Sequence, residues 1–139
     1  MTIIELQRET FSVATNGPGS VARPSFESAE LNGLPWILPP ASSHYGRAIS
    51  LGLRRRGIES RVVHEVTDTA ASLHLAAAGL GATVITPLMR RLSPGLDLCV
   101  RPMADPMTRD VVLVVPGGDR PVPVNAFVET ARRITTALA

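Results

Sequence analysis

Residues 75–87 read Leu75-Ala-Ala-Ala-Gly-Leu-Gly-Ala-Thr-Val-Ile-Thr-Pro87. The alanines close a helix predicted over Ala70 to Ala78, and their small side chains let it lie close to a sheet. Gly79-Leu80-Gly81 ends that helix. Ala82 to Thr86 is rich in β-branched residues and reads as a strand. Pro87 then opens a further helical turn reaching Leu92. A helix that hands over directly to a strand is half of a crossover unit.

Upstream, the same alternation repeats. Arg61 to Val66 is a strand, and Thr67-Asp68-Thr69 supplies capping residues for the helix at Ala70. Pro35-Trp-Ile-Leu38 is a short, flatly apolar run closed by Pro39-Pro40, which predicts a strand buried on both faces. Ser42 or Ser43 then offers an N-cap. Tyr45, Ala48, Ile49, Gly52 and Leu53 fall on one helical face, with Arg47, Ser50 and Arg54 opposite and Gly57 stopping the helix after Arg56. Nearer the start, Thr10 to Ala14 reads as a short strand ended by Asn16-Gly-Pro-Gly. Ser25 to Leu31 reads as one or two helical turns stopped by Asn32-Gly33.

Downstream, Ser93-Pro-Gly95 is a turn and Leu96 to Val100 a strand. Asp110 to Val115 is the most apolar strand and is expected at the centre of its sheet, buried on both faces. Val124, Phe127, Val128, Ala131, Thr135 and Leu138 mark a closing amphipathic helix. The alternating order predicts an α/β fold with right-handed crossovers and a mainly parallel sheet.

Composition narrows the function. Hydrophobic residues make up 45% of the 139 and charged residues 19%, enough for a core and against disorder. All 14 basic residues are Arg, and against 12 acidic ones they leave a net charge of +2, too little to imply nucleic acid. The one cysteine, Cys99, allows no disulfide framework and reads as a small hydrophobe in a strand. No apolar run approaches the roughly 20 residues of a membrane span, and no leader pattern opens the chain, so a cytoplasmic location is expected.

The chemistry-bearing residues point away from catalysis. His44, His64 and His74 match no zinc spacing. Ser42-Ser43-His44 lacks a nucleophile elbow, and adjacent helical residues do not face each other. Gly117-Gly118 is a turn with no helix behind it. Arg54-Arg55-Arg56 reads as a solvated run at a helix C-terminus. No metal, cofactor or enzyme activity is expected. In open sheets, ligands sit beyond the carboxyl ends of strands. Two such junctions are legible, Pro40 to Tyr45 and Val66 to Thr69, and the helix N-termini there favour an anion. Ser42, Ser43, Thr67 and Thr69 add hydroxyls, Thr86 ends a third strand on the same edge, and Arg47 lies one turn into the first helix.

Leu31-Asn-Gly-Leu-Pro-Trp-Ile-Leu38, Ser42 to Gly57, Glu65 to Ala71, Leu75-Ala-Ala-Ala-Gly-Leu-Gly81 and Thr86-Pro87 together resemble the effector-binding domain of LysR-type transcriptional regulators. Arg8-Glu-Thr-Phe-Ser-Val13 looks like that family's first hinge strand. Arg109 to Val115 and Ala126 to Leu138 look like the returning strand and last helix of its first subdomain. The resemblance implies a type 2 periplasmic-binding-protein fold, truncated on its N-terminal side. Residues 15–107 would form the second subdomain, with 1–14 and 108–139 the hinge strands and remnant of the first. It implies effector sensing, with Ser42, Ser43, Thr67, Thr69, Thr86 and Arg47 lining a cleft for a small, anionic molecule. DNA would be reached only through a winged helix-turn-helix absent from these residues. It also implies pairing of sensor domains, so a homo-oligomer, first of all a dimer, is expected. The alternative is a stand-alone small-solute-binding module without regulatory output.

Overall fold

A computed structural model describes residues 1–17 and 25–138. In chain order the elements are β1 (Thr2–Thr10), β2 (Ser12–Asn16), α1 (Ser28–Asn32), β3 (Pro35–Leu38), α2 (His44–Arg55) and β4 (Arg61–Glu65). Then follow α3 (Thr69–Ala77), β5 (Thr83–Ile85), α4 (Pro87–Arg90), β6 (Leu98–Pro102), β7 (Thr108–Val115) and α5 (Val122–Leu138). The expected turn at Asn16-Gly-Pro-Gly lies partly outside the described residues. The chain divides into two units, Thr10–Met107 and Met1–Glu9 with Thr108–Ala139.

The larger unit holds the crossover elements. β3 pairs with β4 in parallel, and β2 pairs antiparallel with both β5 and β6. A parallel bridge between Trp36 and Ala82 joins the two sets. The strand order across the unit is therefore β4-β3-β5-β2-β6, with β2 running against the rest. This corrects the expectation of a mainly parallel sheet at one strand. Crossover helices fix the direction of β3, β4 and β5. No crossover precedes β2, so nothing in its own sequence signals direction.

β3 is buried throughout its apolar part, with Trp36 and Ile37 at 0% exposure. The Trp36 indole N–H donates to the Leu31 carbonyl at 3.2 Å, which satisfies its one polar atom. Leu53, Leu73, Val13 and Ile85 complete a continuous core. α2 offers Ile49 and Leu53 to it, but Ala48 and Tyr45 are exposed, so its buried stripe is narrower than the sequence suggested. Gly46 is buried in the first turn of α2. A Cβ there would overlap the carbonyl oxygens of Pro39 and Pro40. Gly57 follows α2 at φ +71°, the left-handed conformation that lets the chain leave the helix. Arg56 donates to the carbonyls of Asp105 and Pro106, at 2.6 and 2.9 Å, and so ties a loop rather than facing solvent.

The smaller unit pairs β1 with β7. Arg8 meets Asp110, Glu9 meets Arg109 and Gly117 lies beside Met1, so the two strands run antiparallel. α5 covers one face through Val124 and Val128, against Ile4, Leu6, Leu113 and Val115. β7 was expected to be central with both faces buried. Instead its exposure alternates, and Val112 and Val114 are 40% and 55% exposed. Phe127, placed on the apolar face of the last helix by periodicity, is 61% exposed. The reason is geometric: a single ribbon accepts only the i, i+4 pair Val124 and Val128, and Phe127 falls to the side.

Charged groups also order this ribbon. The Glu9 carboxylate is fully buried and takes Arg109 at 2.7 Å, while the Gln7 amide donates to it at 3.2 Å. Such a pair costs desolvation and is retained only when its hydrogen bonds are complete. The exposed Arg8 guanidinium donates to Asp110 at 2.7 Å. That hydrogen bond holds the Asp110 carboxyl below the usual carboxylate range.

Two outcomes are expected. Gly46→Ala lowers stability in chemical denaturation by about 1–3 kcal/mol, the usual cost of overpacking, whereas Gly33→Ala, with open space around it, is near neutral. In an NMR titration Asp110 loses its proton at lower pH than an ordinary aspartate, and Arg8→Gln moves it back. A depressed folded-state pKa stabilises at higher pH, so the contribution is lost as pH falls through that pKa.

Candidate functional site

β3, β4 and β5 run in parallel, so Leu38, Glu65 and Ile85 end at one edge of the larger unit. β2 runs the other way, and Ser12 pairs with both Ile85 and Pro102, which puts the start of β2 at that same edge. The loops leaving this edge begin α2, α3 and α4. Each is capped by a side chain, and the caps decide which hydroxyls remain available.

Ser43, not Ser42, caps α2. Its hydroxyl accepts from the Gly46 N–H at 3.0 Å and donates to the Pro40 carbonyl at 2.7 Å. Ser42 is exposed in the turn before it, and Arg47 is exposed on α2 with its guanidinium in no ion pair among the described residues. Asp68 caps α3, its carboxylate accepting from the Ala71 N–H at 2.8 Å. This places a negative charge at a helix start read from sequence as anion-binding, and offsets its positive end. Thr86 is buried and caps α4, accepting from the Met89 N–H at 3.3 Å.

Of the residues expected to share a site, Thr67 and Thr69 come together. They line one hollow with Tyr45, Val66, Ser72 and Met89. Its free volume of about 10 Å³ admits roughly one water. Ser42, Ser43 and Arg47 do not line it. Thr86 lines a different and larger pocket with Thr10, Ser12 and Arg90. Ser72 follows Thr69 by three residues on α3, and Arg90 follows Thr86 by four. Helical spacing alone could have found both.

The histidines stand apart. His44, His64 and His74 are exposed on α2, β4 and α3, and the His74 Nδ1 lies 2.8 Å from the Ala70 carbonyl. Among the described residues no group of His, Cys, Asp or Glu is placed to hold a metal ion. Cys99 is half-buried on β6. No described helix is long and apolar enough to cross a membrane.

A sheet of this order, with the loops that begin α2, α3 and α4 along its carboxyl edge, has the type 2 periplasmic-binding-protein fold. Solved structures agree. The C-terminal domain of a probable LysR family transcriptional regulator from Rhodococcus sp. RHA1 is 19% identical, with a TM-score of 0.74 over 94% of this chain and 66% of that one. The regulatory domain of Synechocystis PCC6803 CcmR, in complex with 2-PG, is 18% identical, with a TM-score of 0.78 over 96% and 66%. The effector-binding domain of QuiR in complex with shikimate is 14% identical, with a TM-score of 0.74 over 98% and 66%. The chain spans just under two thirds of the length of these domains. The sequence matches none of the curated proteins. The family model described as LysR substrate binding domain matches residues 3–135, and the chain belongs to that family. The family consists of effector-binding domains of transcriptional regulators, so the chain is a binding domain and not an enzyme.

Proposed function

We propose that this chain senses a small, anionic effector at the carboxyl edge of β3, β4 and β5, within a LysR-type transcriptional regulator. The observation that carries the reading is the convergence of Thr67 and Thr69 on one hollow at that edge, beside the loop of Ser42 and Ser43. The uncapped hydroxyls of Ser42, Thr67 and Thr69, and Arg47, which makes no ion pair among the described residues, are the contacts we assign to the effector. Ser43 and Thr86 act mainly by holding the loops. The hollow is too small to enclose an effector, so the ligand rests on its mouth rather than inside it. Shikimate, the molecule bound by QuiR, is a carboxylate and fits an edge of this chemistry.

In this reading residues 15–107 form the second regulatory subdomain, and residues 1–14 with 108–139 are the hinge strands and the remnant of the first. Effector binding shifts the balance between conformations of the regulator. DNA is contacted by another domain, in the cytoplasm. The protein acts as a homo-oligomer, a reading supported by the exposed apolar side chains Ile3, Val112, Val114 and Phe127 on the smaller unit. Each is worth on the order of 1.5–3 kcal/mol when covered.

Two measurements test this. Calorimetry with shikimate as probe is expected to show binding that falls by roughly 1–3 kcal/mol in Ser42→Ala with Thr67→Ala, the loss for hydrogen bonds to a charged group. Unchanged affinity places the effector elsewhere. Light scattering across a dilution series is expected to show a dimer or larger species. A strict monomer at every concentration sinks the oligomer.

A further inference from the structure

The pocket shared by Thr86 and Arg90 combines cavity size, a single cation and an apolar wall. Thr10 and Ser12 stand at the start of β2, Ile85 at the end of β5, Pro87 and Arg90 on α4, and Val100 on β6. Its free volume is about 320 Å³, at the lower end of the range for small-molecule pockets. It shares no residue with the hollow of Thr67 and Thr69.

The lining holds one cation and no carboxylate. Arg8, Arg56, Arg101 and Arg109 are each committed to an acidic partner. Arg90 is exposed, and its guanidinium has no such partner among the described residues. The hydroxyls of Thr10 and Ser12 are likewise uncommitted there, while that of Thr86 is spent on its cap. Facing them, Ile85 is 2% exposed and Val100 is half-buried. One positive fork with two hydroxyl donors suits one carboxylate. Ile85, Pro87 and Val100 suit a compact apolar body. A dianion would carry a charge that nothing here meets, and a cation would face Arg90.

We propose that this pocket is a second ligand site, which binds a small monocarboxylate with an apolar body. Its carboxylate meets Arg90, Thr10 and Ser12, and its body lies on Ile85 and Val100. The inference deepens the sensing function and rests on it, but not on where the first effector sits.

The test uses the full chain and cyclohexanecarboxylate, with cyclohexanecarboxamide and cyclohexylamine as neutral and cationic controls, followed by two-dimensional amide NMR. Saturable shifts are expected at Ser12, Ile85 and Arg90 with the acid alone. Arg90→Gln is expected to weaken binding roughly tenfold or more, as the loss of a charge-assisted hydrogen bond requires, and Arg90→Lys to restore part of it. Ser42→Ala with Thr67→Ala leaves this binding unchanged. Shifts confined to Thr67–Thr69, no shifts at all, equal binding of acid and amide, or an Arg90→Gln variant with full affinity each overturn the proposal. If Arg90→Gln does not fold, the map on the unmodified chain and the acid–amide comparison decide. Loss of shikimate binding in the Ser42, Thr67 variant is read separately, so either site can fail while the other stands.

Discussion

Two hydrogen bonds around Ala82 hold the larger unit together. The Ile37 N–H donates to the Ala82 carbonyl at 2.8 Å, and the Ala82 N–H donates to the Pro35 carbonyl at the same distance. They join the β3–β4 pair to the β5-β2-β6 sheet through the backbone, beside the core that the two share. With them, the ends of β3, β4 and β5 lie level, and their three loops open on one edge. The contact is tight enough to dictate the preceding residue. A Cβ at Gly81 would stand 3.0 Å from both the Pro35 carbonyl and the Ile37 side chain. Gly79, at φ +83°, turns the chain out of α3 toward this bond. The glycine punctuation of residues 79–81 therefore serves the sheet.

The smaller unit follows a different logic. Its core is Ile4, Val115 and Val128 with partly buried neighbours, while the larger unit buries Trp36, Leu31, Leu53 and Leu73 completely. A two-stranded ribbon with one helix is marginal on apolar burial alone. Side-chain charge compensates in specificity rather than in raw stability. The buried Glu9 carboxylate accepts from Arg109 and Gln7, so a slip of β1 along β7 would strand a charge in the interior. Register is thus fixed at Glu9, where hydrophobic contacts are too few to fix it.

Helices and crossover strands were legible because their signals are local. Trp36-Ile-Leu38 between prolines, and the helix that Gly57 ends, needed only their neighbours to be read. β2 was harder, since its direction depends on partners distant in sequence. Most of β1 escaped notice, with only its end from Arg8 read as a hinge strand by resemblance, because its residues mix Glu5, Gln7, Arg8 and Glu9 with Ile4 and Leu6; the polar ones become strand-compatible only once Arg109 and Asp110 lie opposite. β7 misled in the other direction. Its run of Val and Leu reads as a buried strand, yet a sequence states what a strand prefers, not whether both faces are covered.

The site was half legible for a related reason. Ser, Thr and Asp before a helix are visible as caps, but sequence does not say which of several candidates takes the role. Asp68 outcompetes Thr67 and Thr69 for α3 because its carboxylate reaches the Ala71 N–H. Ser43 outcompetes Ser42 because its hydroxyl reaches both the Gly46 N–H and the Pro40 carbonyl. Each contest has two consequences. The winner loses its hydrogen-bonding capacity to the backbone, and it stiffens a loop on which the loser is left open to solvent. Under the proposed function, recognition at such an edge falls to the residues that do not cap. Paired candidates such as Ser42 with Ser43, or Thr67 with Asp68, would then divide the labour between holding a loop and meeting a ligand.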